Sequence, residues 1–125
     1  MNDVLVCGGG IAGLASSAAL AHNGWNGTVF EKADTVRADG ACIWLGELAL
    51  ASLDRLGVAE DVVRNGEDLT HWEIRDRLSR VLQSGGSTGA EGGRLIYVTR
   101  SALLKALQKG AERAGVTFET SQEAM

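Results

Sequence analysis

Val4, Leu5 and Val6 form a short apolar run ending in glycines, the pattern of a parallel strand buried on both faces. From Ile11 the period changes. Ile11, Leu14, Ala15, Ala18 and Ala19 recur at helical spacing, and Asn23-Gly24 supplies a left-handed stop. "TVFE", Thr28 to Glu31, reads as a second buried strand, reached through a connection long enough for a right-handed crossover. The first 31 residues therefore predict one strand-helix-strand unit.

Farther on, "GELALASLDRLG" sets Leu48, Leu50, Leu53 and Leu56 among helix formers with Gly57 as its stop, and a shorter helix is predicted over Ala59 to Arg64. "THWEIRDRLSRVLQS" alternates, placing Trp72 and Ile74 opposite His71, Glu73 and Arg75, so that "DRLSR" turns an antiparallel hairpin. "GGSTGAEGG", Gly85 to Gly93, is a loop by composition. "RLIYVT" predicts a strand, "SALLKALQKGAERAG" a helix with Ser101 as N-cap and Gly115 as stop, and "VTFET" a last strand.

Composition narrows the classes of function. With 125 residues the chain has length for a single domain, here taken as residues 1–125. A net charge of -4 gives no electrostatic reason to expect nucleic acid or an anionic membrane. "MNDVLVCGGG" has no basic leader region, and no apolar run approaches the roughly 18 residues of a membrane span, so a cytoplasmic protein acting on a small molecule is expected. Cys7 and Cys42 show no metal spacing and predict neither a disulfide nor a zinc site, Cys7 being read as a small buried residue. Seventeen glycines without a proline imply several positions of positive φ or of close approach to the backbone.

One cluster of those glycines carries chemistry. Gly8, Gly10 and Gly13 spell GxGxxG between strand and helix. The first permits the tight turn, the second lets the backbone reach a pyrophosphate, and the third lets helix and strand pack closely. The amides of Ile11, Ala12 and Gly13 would meet phosphate at the positive end of the helix. Glu31 ends the next strand about 20 residues on, where a carboxylate accepts from ribose hydroxyls. That carboxylate would repel a 2'-phosphate, which Lys32 beside it offsets only slightly, so FAD and NAD remain as cofactors.

The stretch from "VCGGGIAGLASSAALAHNGWNGTVFEKA" through "RADGACIWLGELALASLDRLGV" resembles the start of the FAD-dependent aromatic hydroxylases, the single-component flavoprotein monooxygenases. Arg37 before "GACI", the leucine-rich helix and "YVTRSALLKAL" are similar to that family as well. The resemblance implies FAD as cofactor, NADPH or NADH as transient reductant, and an aromatic or heteroaromatic small molecule as substrate. It also implies that Arg100 serves the FAD diphosphate side and Arg37 the flavin side, roles that suit a guanidinium fork.

Two departures stand out: Cys42 replaces a glycine usual near the flavin, and Glu47-Leu48 replace a Pro-Asn pair. The family's later Asp-Gly and Gly-Asp segments and its substrate sheet have no counterpart in this sequence. The expected fold class is α/β, a Rossmann-like βαβ dinucleotide-binding domain with a small antiparallel hairpin, incomplete relative to the family. Incomplete sheet edges predict association, with a second copy or another chain.

No catalytic residue is assigned. His22, His71, Ser16, Ser17 and Ser101 lack catalytic context, and Trp25, Trp44 and Trp72 are read as packing residues. The alternative expectation is a truncated, non-catalytic dinucleotide-binding or partner-packing domain; a third, an NAD-linked dehydrogenase domain, leaves Arg37 and Arg100 unexplained.

Overall fold

The protein is described by a computed structural model, which covers residues 2–36, 40–86 and 93–123. Strand β1 (Asn2–Cys7), helix α1 (Ile11–His22) and strand β2 (Trp25–Glu31) open the chain. β3 (Cys42–Leu45), α2 (Glu47–Arg55), α3 (Ala59–Arg64), β4 (Gly66–Asp68), β5 (Trp72–Arg75) and β6 (Val81–Gly85) follow. The described elements close with β7 (Ile96–Thr99), α4 (Arg100–Arg113) and β8 (Thr117–Thr120).

These make a parallel sheet in the order β1-β2-β8, an antiparallel sheet in the order β3-β7-β4, and the hairpin β5-β6. The expected α/β plan with its βαβ unit and hairpin is present. The antiparallel β3-β7-β4 sheet is additional, since neither β3 nor β4 is among the strands the sequence predicts. A strand of three residues such as β4 carries too little alternation to announce itself.

Both α1 and α4 return to the parallel sheet through glycine turns, Gly24 at φ 83° before β2 and Gly115 at φ 91° before β8. Because β2 and β8 run parallel, the two helices also run parallel, and both begin at the end of the sheet where the strands finish. A small cluster of Ala18, Val29, Ala111 and Val116 seals them onto the strands. The larger core joins Leu14, Leu45, Leu53, Val62, Val98 and Leu107 from the antiparallel sheet and four helices. Each such buried aliphatic side chain stabilises the fold by about 1.5–3 kcal/mol. α4 reaches this core by close approach: a Cβ on Gly110 would lie 2.2 Å from Val58 Cγ1.

Three local expectations are corrected. β1 is covered on one face only: Val4 and Val6 turn inward, whereas Leu5 is 69% exposed and Cys7 is exposed, not buried. Both helices packed on this sheet lie on its opposite face. The N-cap of α4 is Thr99, whose hydroxyl accepts from the Ala102 amide at 3.2 Å, two residues before Ser101. Trp44 is not a packing residue, being 55% exposed.

The hairpin forms where the alternation placed it. Asp76 organises its turn, accepting from the amides of Leu78 (2.8 Å) and Arg80 (2.9 Å) and from Arg80 Nε (2.7 Å). Arg80 and these amides hold the Asp76 carboxyl below the ordinary aspartate range.

Candidate functional site

The glycine turn follows directly from what a Cβ would meet. Gly8 has φ 100°, a conformation that side chains resist, and its amide donates to the Phe30 carbonyl of β2 at 2.7 Å. Gly10 faces open space, with nothing within 4 Å of where its Cβ would stand. A Cβ on Gly13 would lie 2.0 Å from the Gly8 carbonyl oxygen, so α1 passes directly over the turn. The three glycines thus stand in three different local geometries: a positive-φ turn, an open position and a contact too close for a side chain.

Gly10 is the N-cap of α1 and no side chain caps the helix. The first bond inside the helix is from the Leu14 amide to the Gly10 carbonyl at 2.9 Å, so the amides of Ile11, Ala12 and Gly13 precede the helical ladder. Ala12 is exposed while Ile11 packs on the core, which leaves backbone donors and a positive helix end beside an open approach at Gly10.

Glu31 ends β2 next to this turn. Its Oε2 accepts from the Gly9 amide at 2.7 Å and its Oε1 from the Ala33 amide at 2.9 Å. The Ala33 and then the Gly9 amide favour the ionised form and hold the carboxyl below its ordinary value of 4.5, with a smaller push from Lys32. A carboxylate has about four acceptor positions, so two remain for hydroxyl donors after both backbone bonds are made.

Gly9 belongs to the site although the sequence reading passed over it. It is buried, and a Cβ there would stand 3.2 Å from Glu31 Oε2 and 3.1 Å from Val36 Cγ2. The signal was the middle one of three consecutive glycines in "CGGGIAG".

A pocket of about 230 Å³ opens at the ends of β1 and β2, lined by Cys7, Gly8, Phe30, Glu31, Lys32 and Gln122. Gln122 also went unnoticed in the sequence. Its amide donates to the Glu31 carbonyl at 3.0 Å, which anchors the segment after β8 to the end of β2.

Arg100 opens α4, and its amide donates to the Ala41 carbonyl at 3.2 Å. Since α1 and α4 are parallel, Arg100 lies at the same end of the sheet as the glycine turn, and its side chain is exposed. Arg37 lies outside the described residues. Cys42 is exposed at the start of β3, paired with Thr99. Glu47 opens α2, where its Oε1 accepts from the Arg94 amide at 3.3 Å.

Among the described residues no cluster of side chains is arranged to hold a metal ion, and no helix is long and apolar enough to cross a membrane. The donors at the turn, the open Gly10 and the spare acceptors of Glu31 fit a dinucleotide, with diphosphate at the amides and ribose at the carboxylate.

Comparison with known proteins agrees. The family described as FAD binding domain matches residues 1–125. A 2-heptyl-3-hydroxy-4(1H)-quinolone synthase of Mycobacteroides abscessus is 32% identical over 120 residues, covering 96% of this chain and 32% of that protein. A 3-hydroxybenzoate 6-hydroxylase of Polaromonas naphthalenivorans is 34% identical, covering 98% of this chain and 32% of that protein. Among solved structures, the tetrameric form of 2-methyl-3-hydroxypyridine-5-carboxylic acid oxygenase superposes with a TM-score of 0.89 at 31% identity, covering 99% of this chain and 32% of that one. The chain thus spans about a third of the length of these relatives.

Proposed function

The chain belongs to the FAD binding domain family, and on that premise we propose that it is the FAD-binding portion of an NAD(P)H-dependent flavoprotein monooxygenase hydroxylating an aromatic or heteroaromatic compound. The observation that carries the reading is the glycine turn, where open space at Gly10 stands beside a contact at Gly13 too tight for any side chain. The aromatic and heteroaromatic compounds that the hydroxylase and the oxygenase are named for support the substrate class.

When bound, FAD supplies the chemistry that takes up reducing equivalents from NAD(P)H and activates O2. The chain's residues bind and orient it. The amides of Ile11, Ala12 and Gly13 would hold the diphosphate at the start of α1, and Glu31 would accept from the ribose, with Lys32 alongside. Arg100, at the same end of the sheet, would meet the remaining phosphate charge, and Arg37 the flavin side. The substrate is a small molecule and the compartment the cytoplasm.

A second reading, a non-catalytic dinucleotide-binding or partner-packing domain, is favoured by the free edge of β1 beside the exposed Leu5. In that reading a second copy or another chain covers the edge.

Titration of the purified chain with FAD and with NAD, followed by flavin fluorescence and calorimetry, tests the assignment. FAD is expected to bind at least about tenfold more tightly than NAD, and Arg100→Ala to weaken FAD by about fivefold to tenfold, the cost of one charge-assisted contact. Failure of both dinucleotides to bind at high micromolar concentration leaves only the packing reading. FAD binding without NADPH or NADH oxidation favours the non-catalytic one.

A further inference from the structure

Helix α4 carries a row of cations. Lys105, Lys109 and Arg113 follow at every fourth position, with Ser101 one turn before them, so all four stand on one face of the helix. Like charges on successive turns repel, and such a row weakens the helix unless something offsets it. For Arg113 the offset is in the chain: its Nη1 lies 3.3 Å from Asp61 Oδ2 on α3, and its Nη2 donates to the Gly57 carbonyl at 3.0 Å. For Lys105 and Lys109 it is not. Glu112, the acid of α4, accepts from Gln108 at 3.0 Å. Among the described residues neither lysine joins an ion pair, although Arg64, Arg75, Arg80, Arg94 and Arg113 all do.

Both lysines line a cleft of about 200 Å³ between α3 and α4, together with Ser101 on their own helix and Asp61 and Asn65 across from them. Ala102 and Ala106, one turn apart, complete the lining, and their small side chains leave the space open. The acid of this lining is already engaged, since Asp61 meets Arg113 and, at 3.6 Å, Arg64. Asn65 gives one side-chain N–H to the Asp61 carbonyl at 2.7 Å and keeps the second. The Ser101 hydroxyl stands 3.2 Å from that of Thr99. The cleft thus offers two ammonium groups, a hydroxyl and an amide N–H, with its carboxylate spent elsewhere.

We propose that this cleft binds a phosphate monoester, Lys105 and Lys109 sharing its negative charge while Ser101 and Asn65 donate to the remaining oxygens. The proposal goes beyond the monooxygenase reading and does not depend on it, since the cleft shares no residue with the glycine turn. A phosphate monoester carries about -1.5 to -2 charges and three acceptor oxygens at neutral pH. Two ammonium point charges set one turn apart match that better than they match a single carboxylate. The volume is below the roughly 300–1,000 Å³ of clefts that enclose a whole small molecule. The cleft therefore takes the phosphate and its first neighbours, and leaves the rest of the molecule outside. The 2'-phosphate of NADPH and a free phosphate ester present this same group.

Amide spectra of the whole nitrogen-labelled chain with glycerol 3-phosphate, 2'-AMP, inorganic phosphate and acetate test it. The expected result is that glycerol 3-phosphate at about millimolar concentration shifts the signals of Ser101, Lys105, Lys109 and the Asn65 side chain. Acetate should bind at least about tenfold more weakly. Lys105→Gln and Lys109→Gln should each weaken glycerol 3-phosphate by about fivefold, whereas Arg77→Gln, a charge of the hairpin turn, should leave it within about twofold. Without phosphate, Lys105→Gln should unfold at no lower urea concentration than the unmodified chain, because it relieves the repulsion with Lys109. 2'-AMP held by the same residues at least about tenfold more tightly than glycerol 3-phosphate supports NADPH as the source, and equal binding supports a free phosphate ester. Inorganic phosphate bound as tightly as glycerol 3-phosphate means an adventitious ion only and overturns the proposal. Shifts confined to Gly8–Gly13, a loss at Arg77→Gln equal to those at the lysines, or no shift at about 20 mM glycerol 3-phosphate overturn it as well.

Discussion

The glycine turn and the outer face of the antiparallel sheet are shaped by opposite means. At the turn, the shape comes from missing side chains: Gly8 turns, Gly10 leaves space, Gly13 admits the helix, and the Gly9 and Ala33 amides hold Glu31. On the β3-β7-β4 sheet it comes from large side chains, with Trp44, Tyr97 and Glu67 aligned only because two strands pair with β7. The first is therefore a property of the backbone path and intolerant of volume. The second is a property of side chains and of strand register.

The largest effect that would break this contrast is at Gly13. Gly13→Ala should lower the unfolding free energy by about 2–3 kcal/mol, because its Cβ meets a backbone oxygen that cannot swing aside. Gly10→Ala should cost about 1 kcal/mol or less as a helix cap while reducing FAD affinity by tenfold or more. Urea unfolding and FAD titration of the two variants measure both numbers. Equal stability losses would erase the distinction between the packing glycine and the ligand-facing one.

Glu31 sharpens the comparison through pH. Its folded carboxyl lies below the ordinary 4.5, chiefly because of the Ala33 amide and then that of Gly9. A lowered folded value means the contribution to stability is full above the unfolded value and is lost as pH falls through the folded one. Glu31→Gln should therefore lower the urea midpoint at pH 7 and approach the unmodified chain as pH falls from 4.5 through the lowered folded value, with FAD affinity down about tenfold at neutral pH. A midpoint difference that persists undiminished in acid would contradict the clasp by the two amides.

The smallest effect belongs to the hairpin turn. Asp76→Ala removes the partly exposed carboxylate that organises Leu78 and Arg80, and the loss of global stability should be small. Hydrogen exchange should quicken locally in β5 and β6, while FAD affinity stays within about twofold. A larger loss of FAD binding would show the two regions to be coupled.

The difference also explains what could be read from the residues in order. The turn, α1, β2 and Glu31 are local, and glycine spacing followed by helical period announces them within 31 residues. The helices α2, α3 and α4 carry their own leucine or capping patterns, and Asp76 closes a hairpin within a short stretch. What escaped is set by pairing across long separations. Trp44 meets Tyr97 only through the register of β3 on β7, so a tryptophan in a short segment looked like core. Leu5 seemed buried because an apolar run carries no label for which of its faces is covered. Gly9 was hidden by its neighbours, being one of three consecutive glycines of which the spacing rule uses two.

The bonding of β8 bears on the order in which the site can be made. β2 pairs with β8 from Thr28 opposite Thr117 to Glu31 opposite Thr120, and the Ser121 and Gln122 amides reach back to the Ala33 and Glu31 carbonyls at 2.9 and 3.0 Å. During synthesis the glycine turn emerges first, yet the far side of Glu31 has no neighbour until residue 122 has left the ribosome. The nascent chain thus clasps the Glu31 carboxylate through Gly9 and Ala33 early, whereas the outer edge of β2 stays open until the segment after β8 docks.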